Sequence, residues 1–489
     1  MTSVNRWNWD LVLFSCAFLT GLAIRFLAVE AVNLWNDEWH LVQFSTQPAL
    51  LDFVKDYASG RNNHEPLYYL ASFFLLKIAL LTRFWIRFPA FFFGAIAIPA
   101  AYLLFKKILS RPIAASVSVL LAFNFFHIRY SVESRPYSLV ILLSIVSLYF
   151  FWGLLREGGL VRNRVGLLVT NLLMFYTHPT MLFFSLLMYF FLAVRRILLL
   201  NREKFWVEGI RRALSNLCVP ELILFSILPL LRSGLWLKQA VLKEVYPVSL
   251  HYGFSLYGRL FQYSYANKIV GALLLLCLGI LLLQRRRHGS ENVLVNKHTV
   301  QFFAFLLVGI FLIPALCFDV SLGLVPLFVH KYFAFLLMPL LLIVALFLEM
   351  LPPWLKNIFL ILTAALCIHS SFLNLSFGRF NPDFDGLFDR AMKEKWRVVL
   401  ACHAGDTVIN FYRKQNHYAY NDVIPLCDKM PERDYASFFY IKDKRSFFMF
   451  SPPDFEKFLA SRGYALTEVS NAKFVSGFDV KEIVRSKSG

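Results

Sequence analysis

Residues 137–155 read YSLVILLSIVSLYFFWGLL, a run without a charged residue over about the 20 positions that a bilayer-crossing helix needs. Working outward from it in both directions, apolar runs return at 11–29, 88–105, 112–127, 165–177, 179–194, 218–230, 268–283, 300–318, 332–350 and 356–372. One such run is a signal or an anchor. A repeated series excludes both a secretory signal peptide and a soluble enzyme with a single tail. The composition of the 489 residues agrees, with 58% hydrophobic and 17% charged against roughly 45–50% and about 25% in ordinary soluble chains.

The net charge of +19 comes from 50 Lys and Arg against 31 Asp and Glu. In a soluble chain such an excess suggests a nucleic-acid partner. Here the basic residues lie in short clusters between apolar runs, and no cluster carries the interleaved aromatics of a single-strand groove, so nucleic acid is not expected. The clusters also set the topology. They are Lys106, Lys107 and Arg111; Arg156, Arg162 and Arg164; Arg195, Arg196, Arg202, Lys204, Arg211 and Arg212; and Arg285, Arg286 and Arg287. All fall on one side of the membrane, and that side is the cytoplasmic one, as the positive-inside bias requires, only if the short stretch 66–81 (PLYYLASFFLLKIALL) does not cross. The expectation is a polytopic α-helical membrane protein of about eleven spans plus a partial juxtamembrane helix, with its N-terminus cytoplasmic and its C-terminus outside.

From about residue 373 the charged residues return. Helices are predicted at 383–396 and 453–461, and short strands at 397–402, 437–441 and 465–469. The expected organisation is a membrane domain over 1–372 and a small extracytoplasmic α/β domain over 373–489. Five cysteines lie in apolar runs. Cys402 and Cys427 lie in the polar tail, where a bridge would close a loop of about 25 residues. No Cys/His spacing suggests zinc, no glycine-rich nucleotide fingerprint occurs, and no internal repeat of a secondary transporter is visible.

Four polar constellations interrupt the apolar pattern on the outer side. The first, Asn36-Asp37-Glu38-Trp39-His40, offers paired carboxylates for general-base work or for a hard divalent cation, or else the cap of an interfacial helix. The second, Asn62-Asn63-His64-Glu65-Pro66-Leu67-Tyr68-Tyr69, has proline at a helix start, where unpaired N–H groups favour an anion. The third, from His127 to Tyr137, reads as a charged outer turn containing Arg129, Tyr130, Glu133, Arg135 and Tyr137, in which Glu133 and Arg135 either bind substrate or close a hairpin. The fourth is His330-Lys331-Tyr332, where the lysine either reaches a phosphate or snorkels.

Taken in order, Asp-Glu, His-Glu-Pro-Leu-Tyr-Tyr, Arg-Phe-Pro at 87–89, Tyr-Ser-x-Glu-Ser-Arg-Pro-Tyr and a late Lys-Tyr resemble the C-type superfamily (GT-C) of polyprenyl-phosphate-sugar glycosyltransferases. The likeness is greatest to the branch containing protein O-mannosyltransferases and lipid A aminoarabinose transferases. It covers roughly residues 30–140 and 325–345. It implies inverting transfer of a sugar from a polyprenyl phosphate or diphosphate donor to an acceptor hydroxyl on a glycan, lipid or protein. The reaction would occur at the outer face of a membrane such as the bacterial inner membrane.

The same resemblance makes Asp37 the catalytic carboxylate, with Glu38 beside it, and puts His64 on the donor phosphate. His-Glu-Pro stands where many relatives have His-Pro-Pro or Lys-Pro-Pro. Lys331 stands where arginine is common, keeping the charge without the bidentate fork. Glu65, Tyr68, Arg129, Tyr130, Glu133, Arg135, Tyr137, Lys331 and Tyr332 are the expected substrate-binding residues, and Asp37, Glu38 and Glu133 the carboxylates for an Mg or Mn ion. The alternative reading is a transporter or flippase of a lipid-linked glycan. Outer loops rich in carboxylates, and the lack of a mid-span acid relay, favour the enzyme.

Overall fold

The computed structural model describes residues 9–31, 34, 36–58, 66–157, 160–178, 180–198, 256, 297–323, 330–350, isolated positions between 352 and 365, and strands at 398–401, 423–425, 437–443, 464–468 and 478–485. The described part is mostly helical. Helix α1 (Trp9–Ala31) is followed by two short helices, α2 (Asn36–Ser45) and α3 (Leu50–Ala58). Then come α4 (Pro66–Ile78), α5 (Arg83–Phe105), α6 (Arg111–Phe123), α7 (Phe125–Val132), α8 (Tyr137–Glu157), α9 (Val161–Thr177) and α10 (Met181–Leu198). After a gap follow α11 (Lys297–Gly323), a 3₁₀ segment (His330–Leu336) and α12 (Leu337–Met350).

Among the described residues five helices are long and apolar enough to cross a membrane, or six when the bent pair α6 and α7 counts as one. The expected spans at 218–230 and 268–283 lie outside the described residues, as does nearly all of 356–372. Helix α4 has 13 residues, a length of about 20 Å, short of a hydrocarbon core of about 30 Å.

The third constellation departs from its expectation. A single span at 112–127 followed by a turn is replaced by a break at Asn124 and a separate helix, α7, inclined by 56°. The cause is local. Asn124 adopts an extended backbone (φ −66°, ψ 121°), and its side-chain oxygen accepts the His127 N–H at 2.9 Å, capping a new helix. The break leaves carbonyls of α6 unpaired, and the buried Arg25 of α1 donates to one of them, Ala122 O, at 2.9 Å, as well as to Gly21 O at 2.8 Å. Helix α7 then lies close against α5, where a Cβ at Gly94 would collide with the Ser131 side chain.

The main apolar cluster draws on α2 to α12 and the 3₁₀ segment and is rich in aromatic edges such as Phe151 against Phe305 at 4.3 Å, while smaller clusters join α1 to α5 and α6 and α1 to α7. In the tail five strands form one sheet in the order β2-β1-β3-β5-β4, with β1 Val398–Ala401, β2 Val423–Pro425, β3 Ser437–Asp443, β4 Tyr464–Glu468 and β5 Phe478–Arg485. Strand β1 runs parallel to β2 and β3, while β5 is antiparallel to β3 and β4. The predicted strand positions 397–402, 437–441 and 465–469 coincide with β1, β3 and β4. The predicted helices at 383–396 and 453–461, together with Cys402 and Cys427, lie outside the described residues.

Candidate active site

Helix α2 opens with Asp37 and Glu38 in its first turn, where the helix dipole favours carboxylates. Successive residues on a helix point about 100° apart, and the pair is divided accordingly. Glu38 turns toward α5. Arg87 Nε donates to its Oε1 at 2.8 Å and Nη2 to its Oε2 at 2.7 Å, with both side chains 0% exposed. The Ser134 N–H adds a bond to Oε1 at 2.8 Å, and Arg87 Nη1 donates to Val29 O at 2.7 Å. The Ser134 hydroxyl donates to Ile86 O. One buried ion pair thus joins the end of α1, α2, α5 and the segment before α8.

Asp37 faces the other way. Lys331 Nζ donates to its Oδ2 at 2.9 Å, across 294 positions of sequence. Arg135 Nη2 stands 3.6 Å from the same oxygen, and Arg135 Nη1 donates to the Tyr69 hydroxyl at 3.1 Å. Asp37 is 25% exposed, Lys331 15% and Arg135 4%, so the cluster is recessed with the carboxylate its most open member. Burial by itself works against charge on Arg135. Asp37, with Tyr69 and Tyr137, more than offsets it and holds the guanidinium's pKa well above the usual arginine range.

Glu133, at the end of α7, accepts Arg129 Nε on Oε1 at 2.8 Å, an i,i+4 pair. The hairpin pairing of Glu133 with Arg135 does not form, because Arg135 is directed to Asp37. The second oxygen, Glu133 Oε2, is buried with no hydrogen-bond partner among the described residues. Tyr130 and Tyr137 meet edge to face at 4.7 Å, Arg129 lies 5.6 Å over the Tyr130 ring, and Arg135 6.0 Å over the Tyr137 ring. Tyr68 is fully buried beside Ser134, and burial pushes its phenol above the ordinary range. Tyr332, next to Lys331, is partly buried against the core.

The structure therefore gathers Asp37, Arg135 and Lys331, and builds the walls from Tyr130, Tyr137, Arg129 and Glu133. His64 and Glu65 lie outside the described residues. Arg87, Ser134 and Tyr69 also belong to the cluster although sequence reasoning did not single them out as site residues. The Arg-Phe-Pro segment at 87–89 was the one signal for Arg87, and it gave no partner. The three carboxylates proposed for a divalent cation fit that role poorly. Asp37 faces Lys331 and Arg135, Glu38 faces Arg87, and Glu133 faces Arg129. Among the described residues no three His, Cys, Asp or Glu side chains converge as a metal site would require.

No family model matches the chain, and no curated protein matches it in sequence. Solved structures do. ArnT from Cupriavidus metallidurans, crystallised bound to undecaprenyl phosphate, superposes with a TM-score of 0.56 at 12% identity, covering 99% of each chain. The archaeal oligosaccharyltransferase AglB from Archaeoglobus fulgidus, in complex with an inhibitory peptide and a dolichol phosphate, gives a TM-score of 0.48 at 12% identity over 86% of this chain and 64% of that one. The likeness to ArnT covers 99% of each chain, and by it the two chains share a fold.

Proposed function

We propose that the chain is an inverting glycosyltransferase that moves a sugar from a polyprenyl phosphate or diphosphate to an acceptor hydroxyl at the outer membrane face. The observation that carries the reading is Asp37 set between Lys331 at 2.9 Å and Arg135 at 3.6 Å. A sugar transfer of this kind needs a carboxylate to take the acceptor's proton and cations to hold the departing phosphate, and one cluster supplies both. The ArnT structure with undecaprenyl phosphate supports a lipid phosphate as the ligand.

In the proposed step the acceptor oxygen attacks the anomeric carbon from the face opposite the phosphate. Its proton passes to an Asp37 oxygen as the bond from the anomeric carbon to the phosphate oxygen breaks. The electron pair of that bond leaves on the phosphate, which Lys331 and Arg135 neutralise, with His64 as a further contact. A single displacement inverts the anomeric centre and needs no covalent enzyme intermediate. Glu38 takes no part in the proton transfer, since Arg87 and the Ser134 N–H occupy both its oxygens. Its task is to hold α2 so that Asp37 faces Lys331 and Arg135. Glu133 Oε2, buried and unpaired, is an acceptor left for a substrate hydroxyl. Residues 1–372 make up the catalytic membrane domain, and residues 373–489 cover the site from outside and help select the acceptor.

Incubation of the purified protein with a panel of polyprenyl-phosphate sugars and acceptors should release lipid phosphate with one of them, and Asp37→Asn should abolish the release. Vectorial movement of a lipid-linked glycan with no bond broken would replace the enzyme by a flippase.

A further inference from the structure

Helix α9 ends at Thr177 and α10 begins at Met181. Between them His178 is extended (φ −163°, ψ 134°), caps α9 through its N–H to Met174 O at 2.9 Å, and is 5% exposed. Its Nδ1 lies 2.9 Å from the Thr180 hydroxyl oxygen, and that hydroxyl donates to Tyr332 O at 2.8 Å. The hydroxyl has one proton. Giving it to the carbonyl leaves its lone pair to accept from Nδ1–H; the Thr180 N–H also approaches Nδ1, at 3.4 Å, the longer of the two contacts.

The His178 ring also stands between two tyrosines, 4.6 Å from Tyr332 and 5.9 Å from Tyr137. Tyr332 follows Lys331 directly, and Tyr137 follows Arg135 by two positions. The ring is therefore a wedge between the two segments that bring cations to Asp37. Lys331 needs such support. Its segment is 3₁₀ rather than α, with a non-helical residue at Phe333 (φ −97°, ψ 19°), so its backbone is not fixed by a regular α ladder.

We propose that His178 and Thr180 are positioning residues that set Lys331 against Asp37 through the Tyr332 carbonyl and ring. The proposal rests on the reading of Lys331 as a phosphate ligand, and it adds the junction of α9 and α10 to the elements that build the site. Neither residue touches the reacting atoms. A shift of the Tyr332 peptide by about 1 Å would move the start of the lysine side chain by as much, a displacement that positioning-dependent sites do not tolerate.

The test uses the full chain in detergent, with two measurements. Site-specific acylation of Lys331 by acetic anhydride, read by mass spectrometry against Lys106, reports whether the amine is held in its ion pair. Titration with undecaprenyl phosphate reports the phosphate site. Thr180→Val and His178→Ala should accelerate Lys331 acylation and weaken lipid-phosphate binding about fivefold or more, whereas Thr180→Ser, which keeps the hydroxyl, should match the wild type. In a Lys331→Ala background Thr180→Val should have no further effect on binding. Unchanged acylation in both variants, or an equal loss in the Lys331→Ala background, overturns the positioning role. Accelerated acylation with lipid-phosphate binding indifferent to Lys331→Ala supports the positioning role and removes the phosphate reading instead.

Discussion

Asp37→Asn separates catalysis from donor binding in a way that simple loss of function would not. The substitution keeps the volume and removes one charge. In the free protein Asp37 Oδ2 holds Lys331 at 2.9 Å and Arg135 at 3.6 Å, so a donor phosphate must compete with the carboxylate for both cations. A hydrogen bond to a charged group contributes about 1.5–3 kcal/mol, and a lysine with three donors retains part of it while also serving the phosphate. The net gain on removing the competitor is then about 1–2 kcal/mol, or roughly 5–30-fold tighter binding of undecaprenyl phosphate. Transfer is lost because the proton acceptor is gone. The same change takes the Asp37 carboxylate away from the nearly buried Arg135, so the ligand-free variant should unfold at lower temperature and recover on lipid-phosphate addition. Fluorescence titration in detergent, thermal unfolding with and without ligand, and lipid-phosphate release read the three effects. Weaker binding by the Asn variant would refute the competition, and near-normal release would remove Asp37 as the base.

Glu38→Gln should destabilise the fold by about 3–5 kcal/mol, because it removes the carboxylate charge that answers the buried Arg87 guanidinium; the double variant Glu38→Met with Arg87→Met should recover much of that loss. Equal unfolding of single and double variants would argue against the pair as the source. Lipid-phosphate release should survive EDTA treatment, given the pairing of each site carboxylate with a cation, and a loss restored by Mg or Mn would show a site built with other residues. Cysteines introduced at positions 37, 133 and 331 should label from outside and those at 106, 162, 202 and 286 should not; labelling of both 37 and 106 would mean that 66–81 crosses the membrane, and labelling of 106 but not 37 would invert the whole topology.

Much of the cluster was legible because apolar spans make polar residues conspicuous. Asp37, Arg135 and Lys331 stand out in sequence, and the fold brings them to one oxygen. The roles of Asp37 and Glu38 were not separable there, since neighbours in a chain diverge only once a helix gives them different azimuths. A Glu133 pair with Arg135 was one of the two alternatives for 128–136 because that stretch read as a turn. The Asn124 cap makes that stretch helical and puts Arg129 one turn away from Glu133. His178 and Thr180 lie at an ordinary junction of two apolar runs, and only the tertiary contact with Tyr332 gives them meaning.

Arg25 has a bearing on how the protein is made. It lies within the first span, its charge answered by Gly21 O, Ala122 O and His127 Nδ1 rather than by a carboxylate among the described residues. An arginine at the centre of an inserting helix carries a penalty of about 2.5–3.5 kcal/mol on the translocon scale. Two of the groups that relieve it are synthesised nearly 100 residues later, at the break that starts α7. Helix α1 is accordingly not a finished membrane anchor when it leaves the ribosome. Its arginine stays in contact with water or headgroups until the sixth and seventh helices arrive, which makes assembly of the N-terminal half a single concerted event rather than a sequence of independent insertions.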